Sequence, residues 1–239
     1  MHLLFAHILC TFFSYIQSQP LFGTLIGLMY KGTPALGIID QCVTNERWEG
    51  MIGKVSTLNG KPIQTNGVNE LADAEMFSTC PNMFSGDYEQ VKFIAMTEAV
   101  RTIHYSADCY AYGLVASGFG ADLVVEADLG LYDYCAIVPI VQGAGGVITD
   151  WTGSELTMSN HERSKGRVVC SGNESLHRQA LNILNAPTVS SDDVLILPKE
   201  DELLKCIKNE IERDGVNANN AHILLGGFMM GEVFAHLSP

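Results

Sequence analysis

Residues Asp122 to Gly153 read DLVVEADLGLYDYCAIVPIVQGAGGVITDWTG, and the order of patterns within them sets the architecture. Leu123 to Glu126 predicts a buried strand that ends on a carboxylate. Seven residues on, Asp133 opens an apolar helix predicted over Asp133 to Gln142, where a carboxylate is favoured by the helix dipole and the free N–H groups. Gly143, Gly145 and Gly146 break that helix, and Val147 to Asp150 returns as a buried strand. Two carboxylates, Glu126 and Asp133, therefore stand at adjacent ends of a strand and a helix. A hard cation with a preference for oxygen ligands suits such a place. Spacing alone leaves a blander reading open, in which Asp133 only caps its helix and Glu126 is a solvated strand end.

Working outward, Arg167 to Cys170 predicts a last strand and Glu174 to Leu184 a last helix. Upstream, Asp108 to Ser117 predicts a helix. Asp87 can cap another, with Val91, Ile94, Ala95 and Ala99 on its buried face. Before it the pattern is β: Leu21 to Tyr30, Ala35 to Val43, Arg47 to Val55 with a turn at Asn59-Gly60, and Glu75 to Thr79. A β meander followed by alternating helices and strands predicts an α/β layered sandwich. The polar run Ala186 to Asp193 predicts a linker. Beyond it come a short strand (Val194 to Leu197), an amphipathic helix (Leu203, Leu204, Ile207, Ile211) and a strand-turn-helix (Ile223 to His236). No internal repeat is present.

Hydrophobic residues make up 47% of the 239, enough for a sizeable core, and the formal net charge is -13. So acidic a surface repels nucleic acid, and any phosphorylated substrate needs a bound cation to bridge it to the protein. The seven cysteines are scattered and form no CxxC, which argues against a disulfide framework or a zinc site and for a reducing, cytoplasmic compartment. Leu3 to Phe13 is apolar but too short to span a bilayer. It is like a signal-peptide core, which keeps secretion open, yet no Lys or Arg precedes it. No membrane partner is expected.

Tyr132-Asp133, the apolar helix, and Gly143-Ala144-Gly145-Gly146-Val147-Ile148-Thr149-Asp150 resemble the C-terminal signature of the inositol monophosphatase superfamily. Pro20 to Gln41, Glu46 to Trp48, Leu58 to Gly60, Met83 to Asp87 and Asp108 to Gly118 resemble its histidinol-phosphate phosphatase branch. The resemblance covers residues 14–186 and implies a layered sandwich of the inositol monophosphatase and fructose bisphosphatase type, mainly its C-terminal part. It implies hydrolysis of a small phosphorylated metabolite by a Mg²⁺-activated water. Histidinol phosphate, a substrate of histidine biosynthesis, is favoured over inositol or other polyol phosphates. Asp133 corresponds to a ligand of the second Mg²⁺, Glu126 to the holder of a substrate hydroxyl or amine, and Asp108 and Cys109 to the substrate side. A homodimer is implied as well.

The sequence also departs from that family. Its Glu-Glu pair and D-P-I-D-G-T segment have no counterpart, and gapless counting puts the two Asp positions on His7 and Cys10, whose softer ligands do not suit Mg²⁺. The expectation is therefore a truncated domain with impaired or no catalysis. The other reading is a non-catalytic or fused remnant acting through protein contacts. Residues 1–13 are expected to lie outside the family domain, and the apolar faces of Leu21 to Tyr30 to be exposed or partner-covered. Residues 187–239 are expected to hold the linker and a partial α/β-hydrolase-like segment. There Ile207 to His236 resembles acyl-protein thioesterases, but Met229 stands where Gly227-Phe228-Met229-Met230-Gly231 needs a serine. Trp48 and Trp151 are expected to pack, Met229 and Met230 to fill gaps, and His104, His161 and His177 to be surface residues.

Overall fold

The computed structural model describes residues 2–10, 15–16 and 18–187, the first group by backbone alone. The tail that resembled a hydrolase lies outside the described residues. Two sheets form the frame. In the first, β1 (His2–Cys10), β2 (Gly23–Tyr30), β3 (Thr33–Gln41), β4 (Glu46–Met51), β5 (Thr57–Leu58) and β6 (Lys61–Pro62) follow one another as an antiparallel meander. Asn59 and Gly60 turn the last hairpin with both φ angles positive, 50° and 74°. The second sheet runs β10 (Val147–Thr149), β11 (Val168–Ser171), β9 (Leu123–Glu126), β7 (Glu75–Ser78), β8 (Thr102–Tyr105). Its β9–β7 and β7–β8 pairs are parallel and its other two antiparallel.

Helices fill the layers. Between the sheets lie α2 (Asp108–Ser117), α3 (Leu131–Tyr134) and α4 (Ile137–Gly143), where Leu25, Ile39 and Trp48 of the first sheet meet Val124, Val168 and Cys170 of the second. On the far side of the second sheet, α1 (Gly86–Ala99) and α6 (Glu174–Asn185) cover Met76, Leu123, Val125 and Val169. A short α5 (His161–Ser164) completes the set. The alternation along β9 therefore sends Leu123 and Val125 to one core and Val124 to the other. Glu126 shares the face of Val124 and points toward α2, where its carboxyl meets Tyr112.

The sandwich and the strand order of Asp122 to Gly153 agree with the sequence. The helix expected over Asp133 to Gln142 is instead two pieces, α3 and α4, parted at Cys135-Ala136. Pro139 has no N–H to give Cys135, so a continuous helix would fail there. The first sheet admits the break through three glycines aligned across it: Gly27 opposite Gly37, and Gly37 opposite Gly50. A Cβ on Gly27 would lie 2.5 Å from Cys135 Sγ, one on Gly37 1.7 Å from Ala136 O, and one on Gly50 2.4 Å from Ile140 Cα. The α3–α4 backbone thus rests directly on the sheet.

The buried face of α1 also differs from expectation. Val91 and Ile94 are exposed, while Glu89, Lys92, Phe93 and Met96 are buried. The two charged residues are inside because each finds a partner remote in sequence: Glu89 meets Arg167 at 2.8 Å, and Lys92 Nζ donates to Ile183 O at 3.2 Å. Along β2 buried and half-buried residues alternate, with Leu25 and Met29 buried and Tyr30 exposed. Among the described residues no helix is long and apolar enough to cross a membrane.

Candidate active site

The candidate site gathers at the C-terminal end of β9. Glu126 is buried there. Its Oε1 accepts Thr79 N–H at 3.1 Å and lies 2.5 Å from Thr79 Oγ1, while its Oε2 accepts Tyr112 O–H at 2.6 Å. Burial pushes the carboxyl up from 4.5 to about 7, against the hydrogen bonds from Thr79 and Tyr112, with the Asp108 charge adding to the rise. Such a carboxyl is half protonated near neutrality. The Tyr112 hydroxyl is raised well above its ordinary value by burial, then by Glu126.

Asp108 opens α2 with φ 40°, in the left-handed region that Asp enters more readily than most residues. Its Oδ1 accepts from Thr79 Oγ1, so one hydroxyl joins Asp108 at the half-exposed rim to Glu126 at the buried floor. Thr79 follows directly after β7, which lies parallel and adjacent to β9. Asp108 and Tyr112 are one helical turn apart on α2, at the i, i+4 spacing that shares a face.

Asp133 is the third residue of α3 rather than its opener. Its Oδ2 accepts Gly130 N–H at 2.8 Å, and its charge is near enough to Tyr112 to oppose that residue's ionisation. Cys109 is buried on α2, where a Cβ added to Gly23 would lie 3.1 Å from its Sγ. The structure thus brings Glu126, Asp108 and the overlooked Thr79 and Tyr112 together, and turns Cys109 toward β2 in the core. Tyr112 had a signal, the i, i+4 spacing from Asp108; Thr79 had none.

Of the three histidines expected at the surface only His177 is buried; His161 is half-buried and the side chain of His104 is 42% exposed. His177 is buried, with Nε2 2.9 Å from Thr149 Oγ1 and Nδ1 3.0 Å from Ser171 Oγ. His161 Nδ1 lies 2.9 Å from Tyr134 Oη, and His104 meets Glu75 at 2.5 Å while stacking on Phe77. Trp48 and Trp151 pack in the two cores as expected. Among the described residues no three His, Cys, Asp or Glu stand close enough to hold a metal ion. The carboxylates here do not by themselves fit a Mg²⁺ shell, and the side chains of His7 and Cys10 lie outside what the structure describes.

A sequence profile of the inositol monophosphatase family matches residues 13–187. The chain belongs to the inositol monophosphatase family. It is 44% identical over 174 residues to the Arabidopsis thaliana protein named bifunctional phosphatase IMPL2, chloroplastic, an alignment spanning 72% of this chain and 50% of that protein. It is 26% identical over 167 residues to a histidinol-phosphatase of Chlorobaculum parvum, spanning 67% of this chain and 64% of that one. The chain thus spans between half and two thirds of these relatives. Among solved structures, an inositol monophosphatase from Zymomonas mobilis superposes with a TM-score of 0.72 at 35% identity, over 77% of this chain and 70% of that one. The family fold is the layered α/β arrangement described above.

Proposed function

We propose that this chain carries the substrate-recognition side of a phosphomonoester hydrolase whose substrate is histidinol phosphate, with inositol or other polyol phosphates as the alternative. The observation that carries this reading is the buried, hydrogen-bonded Glu126 joined through Thr79 to Asp108 at the rim. Two acidic groups that meet one hydroxyl suit a substrate that presents an amine more than one that presents only hydroxyls. The relatives named for histidinol phosphate and for inositol phosphate support the pair of alternatives.

In this reading Asp108 receives the substrate's amine, Glu126 and Tyr112 shape the floor, and water attacks the phosphorus. Mg²⁺ is the ion the family resemblance implies, and when bound it would lower the pKa of that water and polarise the phosphoryl group. Asp133 is the proposed ligand on this chain. A homodimer, a cytoplasmic setting, and a domain over residues 14–186 followed by a linker belong to the same proposal.

The test is phosphate release from histidinol phosphate and myo-inositol phosphate by the 239-residue chain across a Mg²⁺ titration with a chelator control. Because the described carboxylates do not by themselves form a Mg²⁺ shell, weak or no turnover with selective binding of histidinol phosphate is the expected result, and saturable, chelator-sensitive turnover that Asp133→Asn abolishes would show that a working metal site assembles on this chain. A folded sample that binds neither histidinol phosphate nor myo-inositol phosphate would overturn the recognition reading and favour the alternative of a chain that acts only through protein contacts.

A further inference from the structure

The Thr79 hydroxyl carries one proton, yet two carboxyl oxygens contact it. Asp108 Oδ1 is on one side and Glu126 Oε1, at 2.5 Å, on the other. If both carboxyls were ionised, one contact would set two oxygens together with no proton between them. That arrangement is repulsive, and most so in a buried site of low dielectric. One further proton satisfies both contacts. Burial puts it on Glu126, which is enclosed, while Asp108 stands half-exposed at the start of α2. The neutral Glu126 acid then donates to Thr79 Oγ1, and Thr79 donates on to Asp108. Glu126 keeps Tyr112 O–H on its other oxygen and Thr79 N–H on the first.

This chain of donors has one open end, the half-exposed Asp108. We propose that Thr79 is a positioning residue that couples the binding of an organic ammonium group at Asp108 to the release of one proton from Glu126. The inference rests on the amine-binding reading above and adds what that reading lacks, a means of telling an amine from a neutral polyol. The ammonium group brings a full positive charge beside two carboxyls that together hold one negative charge and one proton. The proton leaves Glu126 for solvent, the Thr79 O–H turns to donate to the Glu126 carboxylate so formed, and the N–H donors of the ammonium take its place on Asp108. A polyol brings no charge, so the proton stays and the pair presents a single carboxylate.

Among the described residues, the titratable groups that act on Glu126 or on its partner Tyr112 are consistent with this. Asp108 and Tyr112 come from α2, and Cys170 comes from β11. Asp133 of α3 acts on Tyr112. None of them is a cation, so nothing among them stabilises a second negative charge until a ligand supplies the positive one.

The experiment follows the Glu126 carboxyl directly by ¹³C NMR of the full chain, with its signal assigned by its loss in Glu126→Gln. At about pH 6 the signal should sit at the protonated position. Saturating L-histidinol should move it to the ionised position, and myo-inositol should leave it in place. Thr79→Ser should behave as the parent. Thr79→Val should bind L-histidinol more weakly with the Glu126 signal unresponsive, while its remaining signals report a folded protein. L-histidinol that binds with the Glu126 signal unmoved would overturn the coupling and leave the amine reading standing. Failure of L-histidinol to bind would overturn both, and a Thr79→Val protein that responds as the parent does would remove Thr79 from the account.

Discussion

His177 and Glu126 titrate in opposite senses, so mild acid should change the stability of the folded protein little until one of them is removed. Burial lowers His177 from 6.5 to about 4, and its two nitrogens are taken up by Thr149 and Ser171. Below pH 6.5 the unfolded chain therefore gains a proton that the folded one refuses. Stability present above that pH is lost as pH falls toward 4, at up to about 1.4 kcal/mol per pH unit and about 3 kcal/mol in all. Glu126 moves from 4.5 to about 7. Below pH 7 the folded chain holds a proton that the unfolded one lacks. Its contribution is complete below 4.5, is lost as pH rises through 7, and is again about 3 kcal/mol. Between about pH 4.5 and 6.5 the two slopes cancel. The assay is urea unfolding of the full chain at a series of pH values, read by the fluorescence of Trp48 and Trp151. Relative to the parent, His177→Gln should grow more stable by about 1.4 kcal/mol for each unit of acidification in that window, and Glu126→Gln less stable by as much. The difference from the parent removes Glu75 and Glu89, whose values are held low chiefly by His104 and by Arg167 against burial. A His177→Gln difference that stays constant across the window would refute the reasoning, because it would mean that the folded imidazole takes up its proton as freely as the unfolded one.

Three further substitutions test the packing and ion pairs of the fold. Gly37→Ala drives a methyl group into the backbone carbonyl of Ala136, which cannot rotate away, and should cost about 3 kcal/mol, seen as a thermal midpoint lowered by roughly 6–12 °C. Arg167→Ala should cost about 3 kcal/mol in the same measurement, since it strands the buried Glu89 and removes the cation from over Tyr88 and Trp151. Arg101→Ala, at the exposed pair with Glu75, should cost less than about 1 kcal/mol. Equal losses at the two arginines would show that burial does not separate them.

What the sequence could reveal was whatever a neighbour along the chain enforces. The strand β9, the glycines that end α4 and the strand β10 follow one another within Asp122 to Gly153, and their patterns of apolar residues and breakers suffice to place them. The split between α3 and α4 was half legible, in Pro139; its other half is the glycine row of a different sheet, about a hundred residues away. The reversed face of α1 has the same cause. Val91 and Ile94 look like core by their chemistry, and Lys92 and Glu89 like surface, until Ile183 and Arg167 supply the partners that let the charged pair go inside. The site repeats this division. Glu126 and Asp108 were visible as carboxylates at the ends of a strand and a helix. What governs their chemistry is Thr79, which stands 47 and 29 residues from them in sequence and reaches both only because β7 lies beside β9. A carboxyl read without that neighbour is an ordinary acid. Buried beside it, and joined through its hydroxyl to Asp108, Glu126 has its carboxyl pushed up to about 7, which is what the proposed response to a bound charge requires. The proposed selectivity between an amine and a polyol therefore rests on the sheet order as much as on any single residue type.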